Sequence, residues 1–299
     1  DMLERDVIQG ISIEQSLGNV FRMCRPIVVL DEEHRAKSKK AIENVNEFNP
    51  RFILELSATP RKESNKLVDI GGFSLKKEQM IKLPINVMAG ESYAWQNTLD
   101  QAHDRLEALQ KDAATLQGED GTYIRPIMVI IAEPKKKGED YDQVEEIRRY
   151  LMDKCQVPER QIRVKLSNHD ELKGEDLMSR FSPVRYIITK DALREGWDCP
   201  FAYILTILTP KQSETALTQY TGRVLRQPYA SSTPIVSLNE SYIYCSERDV
   251  SDAVAKIKQG LENEGMGDIA SDIQAKDDDG QKERERVEIT RNENFQQKI

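Results

Sequence analysis

The chain has only three histidines and four cysteines among its 299 residues. Cys24, Cys155, Cys199 and Cys245 lie far apart and form no C-x-x-C pair, which argues against a zinc site. They read as free, buried thiols of a reducing cytoplasm. No run approaches the roughly 18 uninterrupted apolar residues of a membrane span, and the start carries no secretory pattern. There is also no G-x-x-x-x-G-K-S/T phosphate loop. Gly71-Gly72 is followed by no Gly-Lys-Ser/Thr. The sequence begins at Asp1 without an initiator methionine, and reads as a piece of a longer protein. Basic residues are in deficit, 43 Lys and Arg against 51 Asp and Glu, for a formal net charge of -8. A passive nucleic-acid coat would be basic. A chain that confines its basic residues to one groove could still bind nucleic acid.

What is present suits about two domains, since a domain takes roughly 100–200 residues. Ile27, Val28, Val29 and Leu30 form an apolar run ending in Asp31, Glu32, Glu33 and His34. Phe52 to Leu56 forms a second run, ending in Ser57, Ala58, Thr59 and Pro60. Short runs of this kind suit buried parallel strands. The stretch 39–48 between them reads as a crossover helix. In such βαβ units, ligands sit at the carboxyl ends of the strands. A second α/β region starts near Tyr123. Its predicted strands are 126–132, 162–166, 184–189, 203–208 and 242–245. Val144, Ile147 and Leu151 mark an amphipathic helix, and 213–225 reads as another.

Between the two regions, Trp95, Leu99, Ala102, Leu106, Leu109, Ala113 and Leu116 step by four and three. That is one apolar seam over about three heptads. It predicts a helix packed on its own domain, with a coiled-coil arm as the alternative. Beyond Leu261 the chain turns polar, and the mixed charges of 282–286 read as a linker or solvated face. The predicted organisation is 1–62, the later half of a first lobe; 63–122, a helical connector or insertion; 123–250, a second lobe; and 251–299, a helix and charged linker toward a further domain.

Four clusters carry chemistry. In the first, two carboxylates after a buried strand can divide one task. Asp31 suits a water-mediated Mg²⁺ contact, and Glu32 suits polarising an attacking water. An acidic helix start is the plain alternative. In the second, Ser57 and Thr59 can hydrogen-bond neighbouring carboxylates, or simply cap a turn. In the third, 191–200, Gly196 allows close backbone approach and Asp198 can accept from a ribose hydroxyl; a loop between strands is the alternative. In the fourth, Gln219-Tyr220-Thr221-Gly222-Arg223-Val224-Leu225-Arg226, the two arginines are three apart. That spacing predicts one helical face and suits a developing phosphoryl charge. A solvated basic face is its alternative.

Together the clusters resemble superfamily 2 helicase motifs II, III, V and VI in order and spacing. DEEH stands for the DEAD or DEAH form, SATP for motif III, GWDCP for motif V and QYTGRVLR for motif VI. Stretches 123–128, 192–203 and 222–230 look like the Res subunit of type III restriction enzymes and its helicase relatives. The resemblance spans roughly residues 20–250. It implies an α/β fold of two RecA-like lobes, the first incomplete, with ATP and Mg²⁺ between them and double-stranded DNA across both. It implies Asp31 for Mg²⁺, Glu32 for water, and Arg223 and Arg226 as fingers. Gln219, Gly222, Gly196 and Asp198 would lie by the nucleotide, and His34, Ser57 and Thr59 would couple it to the lobe interface. In the family the phosphate loop precedes motif II, so it would fall before Asp1. A modification or specificity subunit is the implied protein partner. No nuclease pattern is visible. A truncated, non-hydrolysing DNA- or protein-interaction module is the competing reading.

Overall fold

The computed structural model describes residues 5–8, 11–14, 17–31, 39–57, 65–89, 94–133, 142–190, 197–209, 220–246, 250–263 and 265–276. The chain divides into two units, one of 1–71 with 263–265, the other of 72–262 with 266–299. Among the described residues, no helix is long and apolar enough to cross a membrane.

The first unit opens with an antiparallel pair, β1 (Arg5–Ile8) and β2 (Ile11–Glu14). Then follow α1 (Leu17–Cys24), β3 (Ile27–Asp31), α2 (Lys39–Glu47) and β4 (Phe52–Leu56). The β-branched residues at 27–29 suit the pleated strand. Asn49, at φ 51°, turns the chain out of α2, a left-handed conformation that asparagine tolerates. β3 and β4 pair in parallel, Ile27 opposite Phe52 through to Asp31 opposite Leu56. This is the predicted βαβ unit. Because side chains alternate along a strand, Val28 and Leu30 are half-buried while Ile27 and Val29 stay exposed, at 68% and 55%. No described side chain of residues 17–71 is fully buried.

The second unit is built on an eight-stranded sheet. Its strands are β5 (Ile85–Ala89), β6 (Ile127–Ile131), β7 (Ile162–Leu166), β8 (His169–Asp170), β9 (Tyr186–Thr189), β10 (Ala202–Ile207), β11 (Ser241–Cys245) and β12 (Ile273–Lys276). The spatial order is β12-β5-β11-β10-β6-β9-β7-β8, and every pairing is parallel except β7 with β8. Each residue of β6, β9, β10 and β11 is buried. Continuous burial is what a parallel sheet covered on both faces requires.

α4 (Trp95–Asp120) buries the predicted seam from Leu99 to Leu116. It packs on β6, β10 and β11, so the seam serves its own domain and not a coiled-coil arm. Gly121, at φ 80°, ends the helix by donating its N–H to the Gln117 carbonyl at 3.1 Å. α5 (Gln143–Asp153) starts at Asp142, whose carboxylate accepts from the Val144 N–H, and buries Val144, Ile147 and Leu151. Of the predicted helix 213–225, the described residues 220–224 are helical and form α6; the rest lies outside the described residues. α7 (Val250–Asn263) follows β11.

The segment 63–122, expected as a connector, supplies both β5 and α4 to this sheet. β5 escaped the sequence reading because Asn86 interrupts its apolar run. The Asn86 amide is nevertheless buried, donating to Glu240 Oε2 at 2.8 Å and the Ser241 carbonyl at 3.4 Å. β12 lies in the stretch expected to be linker.

Candidate functional site

In the first unit, Asp31 is the last residue of β3 and is exposed. Its register partner is Leu56, so Ser57 leaves the neighbouring strand directly beside it. The two oxygen-bearing side chains therefore sit at adjacent carboxyl ends of a parallel pair, where α/β units bind ligands. Glu32, His34 and Thr59 lie outside the described residues.

In the second unit, residues 197–201 lead into β10. The Arg223 guanidinium donates to the Trp197 carbonyl. Arg226 donates to the Asp198 carboxylate in an ion pair, with both side chains about half exposed. Two arginines of the fourth cluster thus reach two consecutive residues of the third, more than 25 positions away. Gly196 and Gln219 lie outside the described residues.

The expectation that Arg223 and Arg226 share one helical face is corrected. α6 ends at Val224, and Arg226 forms an antiparallel bridge with Ile81. Lys82 N–H donates to the Leu225 carbonyl at 2.5 Å, and Gln227 N–H to the Met80 carbonyl at 2.9 Å. These bonds capture the backbone before another helical turn can form. The arginines converge by side-chain reach, from a helix and from an extended segment. At Gly222, a Cβ would meet nothing within 4 Å. Packing among the described residues therefore does not demand glycine there.

The three stretches that carried the finer resemblance also meet. Phe201 packs edge-to-face on Tyr123 at 5.9 Å and on Tyr229 at 6.1 Å. The Tyr229 hydroxyl donates to the Tyr123 carbonyl at 2.8 Å. Arg180 lies over the Tyr123 ring at 5.3 Å, and Tyr123, Arg180 and Tyr229 border a cavity of about 420 Å³. Arg125 is buried behind them. It donates to the carbonyls of Val184 (2.9 Å), Ser179 (2.7 Å) and Leu177 (2.5 Å), and to the Tyr123 hydroxyl (2.8 Å). That guanidinium fixes the 177–184 loop to the start of β6. Sequence reasoning missed this role, and it also missed Lys82. The available signal was a lone cation inside each of two apolar stretches.

A largely parallel sheet of this kind, flanked by helices, is an α/β fold of the RecA-like type. Residues 8–62 match the family described as "Type III restriction enzyme, res subunit". No curated protein matches the chain. Among solved structures, a fragment of an HsdR-type subunit of a type I restriction enzyme from Vibrio vulnificus is similar. It has 16% identity and a TM-score of 0.50, over 90% of this chain and 52% of that one. The DNA-bound Type ISP restriction-modification enzyme LlaBIII aligns at 12% identity and TM-score 0.43, over 82% of this chain and 21% of that one. Mycobacterium smegmatis helicase Lhr, bound to single-stranded DNA and AMP-PNP, aligns at 13% identity and TM-score 0.48, over 81% and 33%. The chain thus spans about a fifth of the LlaBIII chain and about half of the Vibrio chain.

Proposed function

We propose that this chain is part of an ATP-driven motor acting on DNA, with ATP hydrolysed between two RecA-like lobes and a role in a type III restriction-like phage-defence system. The observation that carries the reading is the clasp of Trp197 and Asp198 by Arg223 and Arg226. Motifs V and VI are distant in sequence and would have to act together at one nucleotide edge.

The resemblance assigns a division of labour. Residues 1–62 belong to a first lobe and 123–250 to a second, the latter extended by β5 and α4. Asp31 would hold Mg²⁺. An exposed carboxylate beside a serine hydroxyl is an all-oxygen donor set, which suits that hard cation. Bound Mg²⁺ would neutralise phosphate charge. Glu32 orients the attacking water. Arg223 and Arg226 face the developing phosphoryl charge, with Gln219, Gly222, Gly196 and Asp198 beside the nucleotide and His34, Ser57 and Thr59 relaying its state. Double-stranded DNA is the substrate and a modification or specificity subunit the partner. The motor resides in the cytoplasm.

The lack of a phosphate loop favours a second reading for these 299 residues on their own, a non-hydrolysing DNA- or protein-interaction module. Steady-state ATPase decides between them. A longer chain that supplies the loop should hydrolyse ATP in the presence of DNA and lose turnover on Glu32→Gln. No DNA-dependent turnover in that longer chain would reject the motor reading, and turnover unaffected by Glu32→Gln would remove Glu32 from the site.

A further inference from the structure

Lys82 is fully buried, directly before β5. Its ammonium donates to the Pro200 carbonyl at 3.0 Å and the Ala202 carbonyl at 2.6 Å, and it sits 4.0 Å from the centroid of the Tyr203 ring. Those three partners lie on the segment that follows Trp197 and Asp198. Its backbone N–H meanwhile holds the Leu225 carbonyl, and its neighbour Ile81 bridges Arg226. The Ser241 hydroxyl spans the same junction, donating to the carbonyls of Val224 at 3.1 Å and Lys82 at 3.4 Å. One residue therefore grips the third cluster with its side chain and the fourth with its backbone.

We propose that Lys82 is a positioning residue that sets how Asp198 and Arg226 are presented to each other, and so sets the geometry of the nucleotide edge. The inference rests on the reading of 191–200 and 219–226 as nucleotide-side segments. Burying a lysine without a carboxylate partner is costly. A methionine would fill the same space without that cost but could not hold two carbonyls.

The junction is also sensitive to proton uptake. Burial pulls the Lys82 pKa down from 10.5 to about 7, and a Coulombic contribution from Cys199 opposes that fall. Among the described residues, the titratable side chains facing it are the Cys199 thiol, pushed up to about 11 by burial, and the Tyr203 phenol, also raised by burial. Both stay neutral near pH 7, so Lys82 is the group that changes charge there. Deprotonation removes the cation–π contact and the charge assistance of both carbonyl bonds.

Trp197 reports on this junction, and Trp95 is the other tryptophan. In a Trp95→Phe background of the full chain, Trp197 emission should step with a midpoint near pH 7. Lys82→Met should abolish the step and increase acrylamide quenching of Trp197, with far-UV circular dichroism unchanged. Lys82→Gln keeps two donors and no charge. It should abolish the step yet retain partial shielding of Trp197, and it serves if the methionine variant does not fold. Acrylamide quenching of Trp197 that is unchanged in both variants, or a pH step that persists in either of them, overturns the proposal. The readout needs no nucleotide or DNA, so failure of the motor reading would appear in the ATPase experiment and not in this one.

Discussion

Arg226 and Asp198 form an ion pair across 28 residues of sequence, with roughly half of each side chain open to solvent. Exposed pairs of this kind contribute about 0–1 kcal/mol. The pair is therefore a poor reason, on stability grounds, for an arginine at 226.

The first prediction separates the two roles of Arg226. In a double-mutant denaturation cycle, Asp198→Ala and Arg226→Ala should couple by less than about 1 kcal/mol. In a longer chain that supplies the phosphate loop, Arg226→Ala should cut ATP turnover by about 10³-fold or more, with nucleotide affinity little changed. A large coupling energy with normal turnover would make Arg226 a structural residue.

Gly222 gives a second test. It lies in helical residues and a Cβ there meets open space. Gly222→Ala should leave the second unit unchanged or stabilise it by up to about 1 kcal/mol. If nucleotide approaches this backbone closely, the same change should weaken nucleotide binding in the longer chain. Thermal denaturation and a nucleotide titration read the two effects separately. Loss of stability would show that the glycine is required by the fold.

The charge of Lys82 makes stability depend on pH in a defined direction. Its folded pKa, about 7, lies below the ordinary 10.5. Below pH 7 the folded and unfolded states both carry the proton, and the cost of burying the charge is fully present. Above it the unfolded chain binds one proton more, so stability rises with pH. From pH 7 to about 8.5, before the raised Cys199 acts in the opposite sense, stability should climb and Lys82→Met should flatten the climb. Urea unfolding midpoints across that window provide the measurement. Equal slopes for the two proteins would contradict the assignment.

α4 allows a fourth prediction. Leu106 is fully buried on the seam that packs against the sheet. Leu106→Ala should destabilise the second unit by about 2–5 kcal/mol and leave the oligomeric state unchanged. Chemical denaturation and light scattering test the two halves. A change of mass with little change of stability would restore the coiled-coil arm.

Most strands of the second unit were legible because a buried parallel strand must be an apolar run, as Ile127–Ile131 and Ala202–Ile207 are. The clusters stood out in the sequence because their residue types and order are unusual, and the structure describes Asp31, Ser57, Asp198, Gly222, Arg223 and Arg226 among them. β12 was not legible, since it lies in a stretch that reads as linker, and neither were two further features. β5 is short and carries Asn86, whose burial depends on Glu240 and Ser241, far away in sequence. The path of Arg226 depends on backbone bonds to 80–82, and no periodicity within 219–226 encodes such a partner. Helical spacing was the right local inference for Arg223, and tertiary pairing overrode it one turn later.

The last prediction concerns the two units. β3 and β4 are each other's only pairing partners among the described strands, and Ile27, Val29, Phe52 and Leu56 are about half exposed or more. In the second unit β6 and β10 are paired on both sides and wholly buried. Backbone protection follows how many buried contacts must break for an amide to open. A two-stranded sheet with an uncovered apolar side has few. Amides of 27–31 and 52–56 should therefore exchange much faster than those of 127–131 and 202–207 in the isolated 299-residue chain. Supplying an upstream segment that covers the apolar side should slow the first set and leave the second unchanged. Equal and slow exchange in both sets would show that the first unit is self-sufficient, and would favour the interaction module over a part of a motor.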